Sequence, residues 1–353
     1  MQVVRCLDLN GNARQRGEAH GEAMRDAIGA GVERWLERMT AVQPLDRDAF
    51  LDHIRTTTQF EQTVTQLTPD LMDEVRGIAS GANLDVSTVF AFQLLDECWW
   101  LAAQLAQQNN AQESCSSLAL RDMDGVAVAA QTMDLPHHYD GGQLLLRFTD
   151  PKTGIRQLVF TAAGLVGLNG LNSRRLAVCV NTLGELPSSR RGLPVAFVLR
   201  SLLARADLAG AVEFVEATQH ASGQNYVLAS PDGIADIEAG ATATTLYQPQ
   251  TAHVYHTNHQ LTNPDTRNVT DINSIANSVK RFEAMNRFFE RHPEPDLAGI
   301  KTLLASADGP ICAPRAARHG FTFGACIMIL DTSPTLHIAH GPPTASSFVQ
   351  HSL

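Results

Sequence analysis

Through about its first 110 residues the chain repeats apolar side chains at a helical period, and at Cys115 that texture gives way to short β-type runs. After a strand at Val3–Leu9, Gly17 and Gly21 punctuate the segment Arg-Gly-Glu-Ala-His-Gly, and Ala23, Ile28, Val32, Trp35, Leu36 and Met39 then recur at helical spacing. Phe50, Ile54 and Phe60 predict another helix. Thr68-Pro69-Asp70-Leu71, with Glu74 following, reads as a helix start, and that helix stops near Gly81. Asp85 to Gln107 reads as one helix with Val89, Phe92, Leu95, Trp99 and Ala102 on one face.

Beyond the boundary, residues 115–120, 126–133, 143–149, 156–162 and 176–182 read as strands. Asp124-Gly125, the 150–154 segment and Asn172-Ser173 supply turns between them. Helices are expected over 194–204, 208–218, 271–291 and 296–305, with further strands at 226–229, 234–238, 244–247, 252–256, 323–330 and 335–340. Strands in blocks and helices in pairs predict two sheets with helices outside them, not alternating β-α units. The expected class is α+β, a four-layer αββα sandwich preceded by a helical segment.

The bulk numbers narrow the partners. A formal charge of -10 disfavours nucleic acid or an anionic membrane surface as the main partner. No apolar stretch reaches membrane-spanning length, and the start has no signal-peptide pattern, so the cytoplasm is the expected location. The six cysteines form no Cys-x-x-Cys pair, and most sit in apolar runs, as expected of reduced thiols. No His-x-x-x-His lies beside a carboxylate motif; His137-His138 and the pair His256 and His259 are the exceptions to weigh as metal ligands, and the rest of a ligand set is missing. Neither a metal nor a cofactor is expected. Gly164, Gly167 and Gly170 do not make a nucleotide-cradling fingerprint; turns and close strand packing explain them.

Cys115 stands at the α-to-β boundary in Ser114-Cys115-Ser116-Ser117-Leu118-Ala119. On residue type alone it is an ordinary buried strand cysteine. A thiol with an ordinary pKa near ~8.5 needs a base to act as a nucleophile at neutral pH. No Cys-His motif stands nearby. Cutting the peptide bond before Cys115 would supply one, because the new α-amine, with a pKa near ~8, lies beside its own thiol.

That run, the hairpin ending Ala129-Ala130-Gln131-Thr132-Met133-Asp134, and His256-Thr257-Asn258-His259 together resemble the amino-terminal-nucleophile hydrolases. The similarity is to the isopenicillin N acyltransferase family of autoproteolytic enzymes, with choloylglycine hydrolases more distant. It takes in Arg16 to Gly21, Gly167 to Asn172, Leu176 to Leu183, Ala221 to Tyr226 and Gly341-Pro342-Pro343, in the family's order.

The resemblance implies that Cys115 becomes a new amino terminus when the precursor, a zymogen, cuts itself between Ser114 and Cys115. The family more often has glycine at the position of Ser114. Asp134 resembles the aspartate that holds the freed α-ammonium, and Asn258 the oxyanion-hole amide. Asn181 is similar in context to a second active-site asparagine, and Arg281, in Ser278-Val279-Lys280-Arg281-Phe282, to an arginine near the nucleophile. Arg315 or Arg318 is the alternative source of a pocket charge. Gln131 stands where choloylglycine hydrolases carry an arginine, which argues against bile-salt chemistry.

The expected product is a helical α-subunit, residues 1–114, associated with a catalytic β-subunit, residues 115–353. It would act as a cysteine amidase on a linear amide carbon–nitrogen bond of a small molecule, through an acyl-enzyme. An acyl-coenzyme A-dependent N-acyltransferase, with Arg174-Arg175 and Arg190-Arg191 as material for a phosphate site, and an uncleaved binding protein are the alternatives. Whether the chain forms a homo-oligomer stays open.

Overall fold

The computed structural model describes residues 3–107, 114–121, 126–247, 251–265, 272–307, 309–317 and 320–353. Gln112, Glu113, Asp124, Gly125 and Arg318 lie outside the described residues. A first strand, β1 (Arg5–Leu9), leads into the helical segment: α1 (Ala13–Ala23), α2 (Arg25–Val42), α3 (Arg47–Thr57), α4 (Phe60–Leu67), α5 (Pro69–Ala82), α6 (Val86–Phe92) and α7 (Leu95–Ala106).

Gly17 and Gly21 are not turn punctuation. They lie inside α1, which Asn12 opens with a capping box shared with Gln15. With Gly77 and Gly81 they let α1 and α5 touch backbone to backbone: a Cβ on Gly17 would sit 2.0 Å from the Glu74 carbonyl oxygen. Pro69 starts α5 as expected, but Thr68 does not cap it; its hydroxyl donates to the Val64 carbonyl and closes α4 instead. The stop near Gly81 is Asn83, in the left-handed conformation. The helix expected over 85–107 is two helices. At the break, the buried Gln93 amide donates to the Val89 carbonyl (3.0 Å) and the Gly164 carbonyl (2.7 Å) and accepts from Val166 N (2.9 Å). Apolar periodicity continues across this break, so the pattern could not show it.

The rest of the chain supplies β2 (Ser116–Arg121), β3 (Ala127–Leu135), a 3-10 turn at His137–Tyr139, β4 (Gln143–Thr149), β5 (Arg156–Ala162), β6 (Asn169–Asn172) and β7 (Ala177–Thr182). Then come α8 (Val195–Leu203), α9 (Leu208–Ala217), β8 (Gln224–Ser230), β9 (Gly233–Ala239), β10 (Thr244–Tyr247) and β11 (His253–His256). The chain closes with α10 (Ile272–Arg291), α11 (Leu297–Leu304), β12 (Phe321–Leu330), β13 (Thr335–His340) and β14 (Val349–Ser352). Strands β6 and β14, four residues each, were not expected.

Among the described residues, one sheet has the order β1-β4-β5-β6-β7-β8-β9-β10 and the other β11-β2-β3-β12-β13-β14. The two pack face to face, with β2 and β3 against β7 and β8. Helices α8 and α9 cover the outer face of the first sheet, and α10 and α11 cover the second. This is the expected αββα sandwich. The helical segment shares the main core: Trp35, Phe92, Trp99 and Leu101 belong to the same buried cluster as Leu145, Val178 and Tyr226. Gly170 shows why the small residues recur, since a Cβ there would meet the Leu158 carbonyl at 2.4 Å. Among the described residues no helix is long and apolar enough to cross a membrane.

Candidate active site

Cys115 immediately precedes β2, a central strand of the second sheet, and is 2% exposed. Its Sγ accepts from the backbone N–H of Asp134 at 3.4 Å and lies 3.6 Å from Met133 Sδ. This contact follows from the β2–β3 register, which pairs Ser116 with Thr132 and so brings the start of one strand beside the end of the other. An N–H aimed at a sulfur stabilises its thiolate form.

Arg281 joins residues far apart in the chain. It is 1% exposed, and its Nη1 donates to the Cys115 carbonyl (2.5 Å) and to Ser116 Oγ (3.0 Å), while Nη2 donates to Asn258 Oδ1 (3.0 Å). Asn277, one turn earlier on α10, accepts from Nε at 2.8 Å. Burial lowers the Arg281 pKa to about 10, with Asp134 and Cys115 pulling the other way. The guanidinium therefore stays charged at neutral pH.

Asn258 follows β11, the strand paired with β2. With Oδ1 occupied by Arg281, its Nδ2 is the available donor end and reaches the Thr182 carbonyl at 3.0 Å. One Nδ2 hydrogen serves that bond, and an amide carries two. Ser278 Oγ accepts from Asn258 N at 2.7 Å and fixes the backbone.

Asp134, the penultimate residue of β3, lies beside a register shift in β12 between Thr322 and Gly324, an irregularity that re-aims side chains. Thr322 Oγ1 donates to Asp134 Oδ1 at 2.6 Å, while Oδ2 is buried and has no hydrogen-bond partner among the described residues. Burial pushes the Asp134 carboxyl up to about 7, against the pull of Thr322 and Arg281.

Asn181 stands on β7 of the facing sheet. Its Nδ2 donates to Ser117 Oγ (2.5 Å) and Asn225 Oδ1 (2.9 Å), and Asn225 in turn donates to Asp236. Asn181 thus meets the site through the second serine after Cys115. Gln131 is used structurally, donating to the Val180 carbonyl and accepting from Asn169.

Arg315, the alternative pocket arginine, pairs with Asp140 and lies over Phe321, half-exposed. It makes none of the contacts that Arg281 makes to Cys115. Arg190 is also engaged elsewhere, on Thr57 and Gln104 and over Trp100. His256, weighed above as a metal ligand, pairs with Glu238 at 2.9 Å. Among the described residues no three His, Cys, Asp or Glu side chains converge as a metal ion would require.

Several residues at the site were not singled out from the sequence. A void of about 20 Å3, room for roughly one water, borders Cys115 and is walled by Leu168, Val180 and Leu199. Its polar part is Asp96, Thr182 and Gln224. Asp96 comes from α7, so the helical segment contributes directly to the cavity. Two adjacent acids in the apolar stretch Leu94-Leu95-Asp96-Glu97-Cys98-Trp99 were the available signal. Thr322 carried none, because a threonine in a strand is ordinary.

Glu238 organises the approach to Asn258. Its carboxylate accepts from Leu261 N (2.5 Å), Thr262 N (2.9 Å) and Asn263 N (2.6 Å) as well as His256. Burial pushes its pKa up, but these donors outweigh burial and hold it at about 2.

No curated protein sequence matches the chain. Similar solved structures include penicillin V acylase from Agrobacterium tumefaciens, 14% identical over 64% of this chain and 83% of that one, with a TM-score of 0.45. A mutant of conjugated bile acid hydrolase from Clostridium perfringens is 10% identical over 68% of this chain and 96% of that one, with a TM-score of 0.47. A model of the acyl-coenzyme A:6-aminopenicillanic acid acyl-transferase family matches residues 125–330. That match runs from the start of β3 to the end of β12, more than half of the chain, and with it the protein belongs to this family of enzymes.

Proposed function

We propose that the protein is a cysteine amidase that activates itself by cutting between Ser114 and Cys115. The observation that carries this reading is the gathering of Asp134, Arg281 and Asn258 around Cys115: the Asp134 N–H meets its thiol, and Arg281 ties its carbonyl to Asn258. In the first step the Cys115 thiol attacks the Ser114 carbonyl carbon. The carbon–sulfur bond forms, the peptide carbon–nitrogen bond breaks, and the thiol proton passes to the released nitrogen. Water hydrolyses the resulting thioester, leaving a Ser114 carboxylate, a free thiol and the Cys115 α-amine. The unpaired Oδ2 of Asp134 is an acceptor suited to the new ammonium.

In turnover the α-amine takes the thiol proton and the thiolate attacks a substrate amide. Asn258 donates to the developing oxyanion, oriented by Arg281; such a donor typically contributes ~3 kcal/mol to the barrier reduction. The amine leaves with a proton, and water releases the acyl group. The family's name favours a second reading, in which an amine accepts the acyl group from a coenzyme A thioester. Hydrolysis needs no second binding site, so it is the primary reading. Residues 1–114 and 115–353 stay associated after cleavage because buried contacts such as Glu74–Arg200 and Gln93–Gly164 cross between them.

Intact-mass measurement tests the proposal. Wild type should resolve into two fragments divided between Ser114 and Cys115, and Cys115→Ala should remain one chain. A wild-type protein that never matures and ignores iodoacetamide, or a Cys115→Ala protein that still splits there, would overturn it.

A further inference from the structure

The void beside Cys115 is apolar except for Asp96, Thr182 and Gln224. Asp96 Oδ2 accepts from Thr182 Oγ1 at 2.9 Å and from Gln224 Nε2. Both donors are neutral, and neither cancels a charge. The next residue adds to the imbalance: Glu97 is fully buried and accepts from Ser222 Oγ (2.6 Å) and Val195 N (3.1 Å), again neutral groups. Burial raises the pKa of both carboxyls, Glu97 to about 7 with Asp96 contributing.

Gln224 gives an independent indication. It is 1% exposed, and its Nε2 donates to Asp96 and to Ser222 Oγ at 3.0 Å. That orientation leaves Oε1 buried without a partner. An unpaired buried acceptor calls for a donor. Asp96 and Gln224 both line this void, one with no counter-ion and the other with an amide oxygen that no donor meets among the described residues, and a primary ammonium would satisfy both, since it carries positive charge and three N–H donors.

We propose that this void receives an ammonium group of the substrate, with Asp96 as counter-ion and Gln224 Oε1 as second acceptor, so that the preferred substrates are amides of short aminoacyl groups. The proposal rests on Cys115 being the nucleophile, and it makes Asp96 a specificity determinant supplied by the helical segment.

The test compares two thiol reagents of similar size on the purified enzyme, 2-aminoethyl methanethiosulfonate and ethyl methanethiosulfonate. In each, the Cys115 thiolate forms a mixed disulfide and expels methanesulfinate. Peptide mass mapping separates Cys115 from the other cysteines, and rates are normalised to those of a free cysteine peptide. Cys115 should favour the cationic reagent by about tenfold, as expected of one ion pair out of bulk water. Asp96→Asn should bring the ratio of cationic to neutral rates down to that of the free peptide, and Asp96→Glu should retain the preference. Labelling of Cys115 by the neutral reagent, with a wild-type circular dichroism spectrum, reports that the variant is folded around an accessible thiol. Equal normalised rates in wild type, or a preference that survives in Asp96→Asn, overturn the ammonium site alone. Failure of both reagents to reach Cys115 overturns it together with the nucleophile reading.

Discussion

Glu74 is 1% exposed on α5 and carries two guanidinium groups. Arg200, on α8, grips it with two bonds of 2.7 and 3.1 Å, and Arg16, on α1, lies at 3.6 Å. Burial pushes the Glu74 carboxyl up, but Arg200, Arg16 and His20 outweigh it and hold the carboxyl below its ordinary value. Glu74→Gln removes the charge at nearly constant shape and leaves two buried cations facing a neutral amide. Breaking a buried pair in this way costs about 3–5 kcal/mol. The measurement is urea unfolding in a Cys115→Ala background, which keeps one chain, followed by the fluorescence of Trp35, Trp99 and Trp100. All three tryptophans lie in the helical segment. The sign with pH is fixed by the lowered pKa: the contribution is complete above the ordinary carboxylate range and is lost as pH falls through the folded value. Glu74→Gln should therefore flatten the acid limb as well as lower stability at neutral pH. Pairing Glu74→Met with Arg200→Met should recover part of the loss, since the penalty is the unpaired charge. A loss below about 1 kcal/mol for Glu74→Gln would refute the reasoning, placing the pair in the range of solvent-screened contacts.

In the same Cys115→Ala background, Asp134→Asn should be more stable than its parent at pH 8, on the order of 4 kcal/mol, because a carboxyl raised to about 7 destabilises the folded state when it ionises. The gain should shrink to nothing near pH 4; superimposable pH profiles in urea unfolding would count against the buried carboxylate. Glu238→Gln should speed amide hydrogen exchange at Leu261, Thr262 and Asn263, whose N–H groups all point at this carboxylate. Exchange confined to wild-type rates would show that the loop is held by other contacts. Arg281→Lys cannot reach the Cys115 carbonyl, Ser116 Oγ and Asn258 Oδ1 together. Its kcat should fall on the order of a hundredfold, with proper folding checked by circular dichroism.

The layer order, the α-to-β boundary and most strand positions were legible because apolar periodicity and turn residues are local properties of the chain. Cys115, Asp134, Asn258, Asn181 and Arg281 were recognisable as motif positions, each beside an ordinary alternative. Local pattern failed where a side chain works at long range. The helix breaks at Gln93, whose side chain bonds to Gly164 and Val166 far along the chain, and Gly17 serves contact with α5 instead of a turn. Thr322 and Glu238 carried no signal at all, since their importance lies in partners distant in the chain.

By itself, the amino-acid sequence determined that two sheets would be sandwiched by helices and that a cysteine would open the first strand after the helical block. Tertiary structure alone decided that Arg281 and not Arg315 meets Cys115, and that α7 lends Asp96 to the cavity. The physical reason is separation along the chain. Periodicity states which face of an element is buried, but electrostatic compensation depends on which charges burial brings together. Arg281 and Cys115 are 166 residues apart until the sandwich closes.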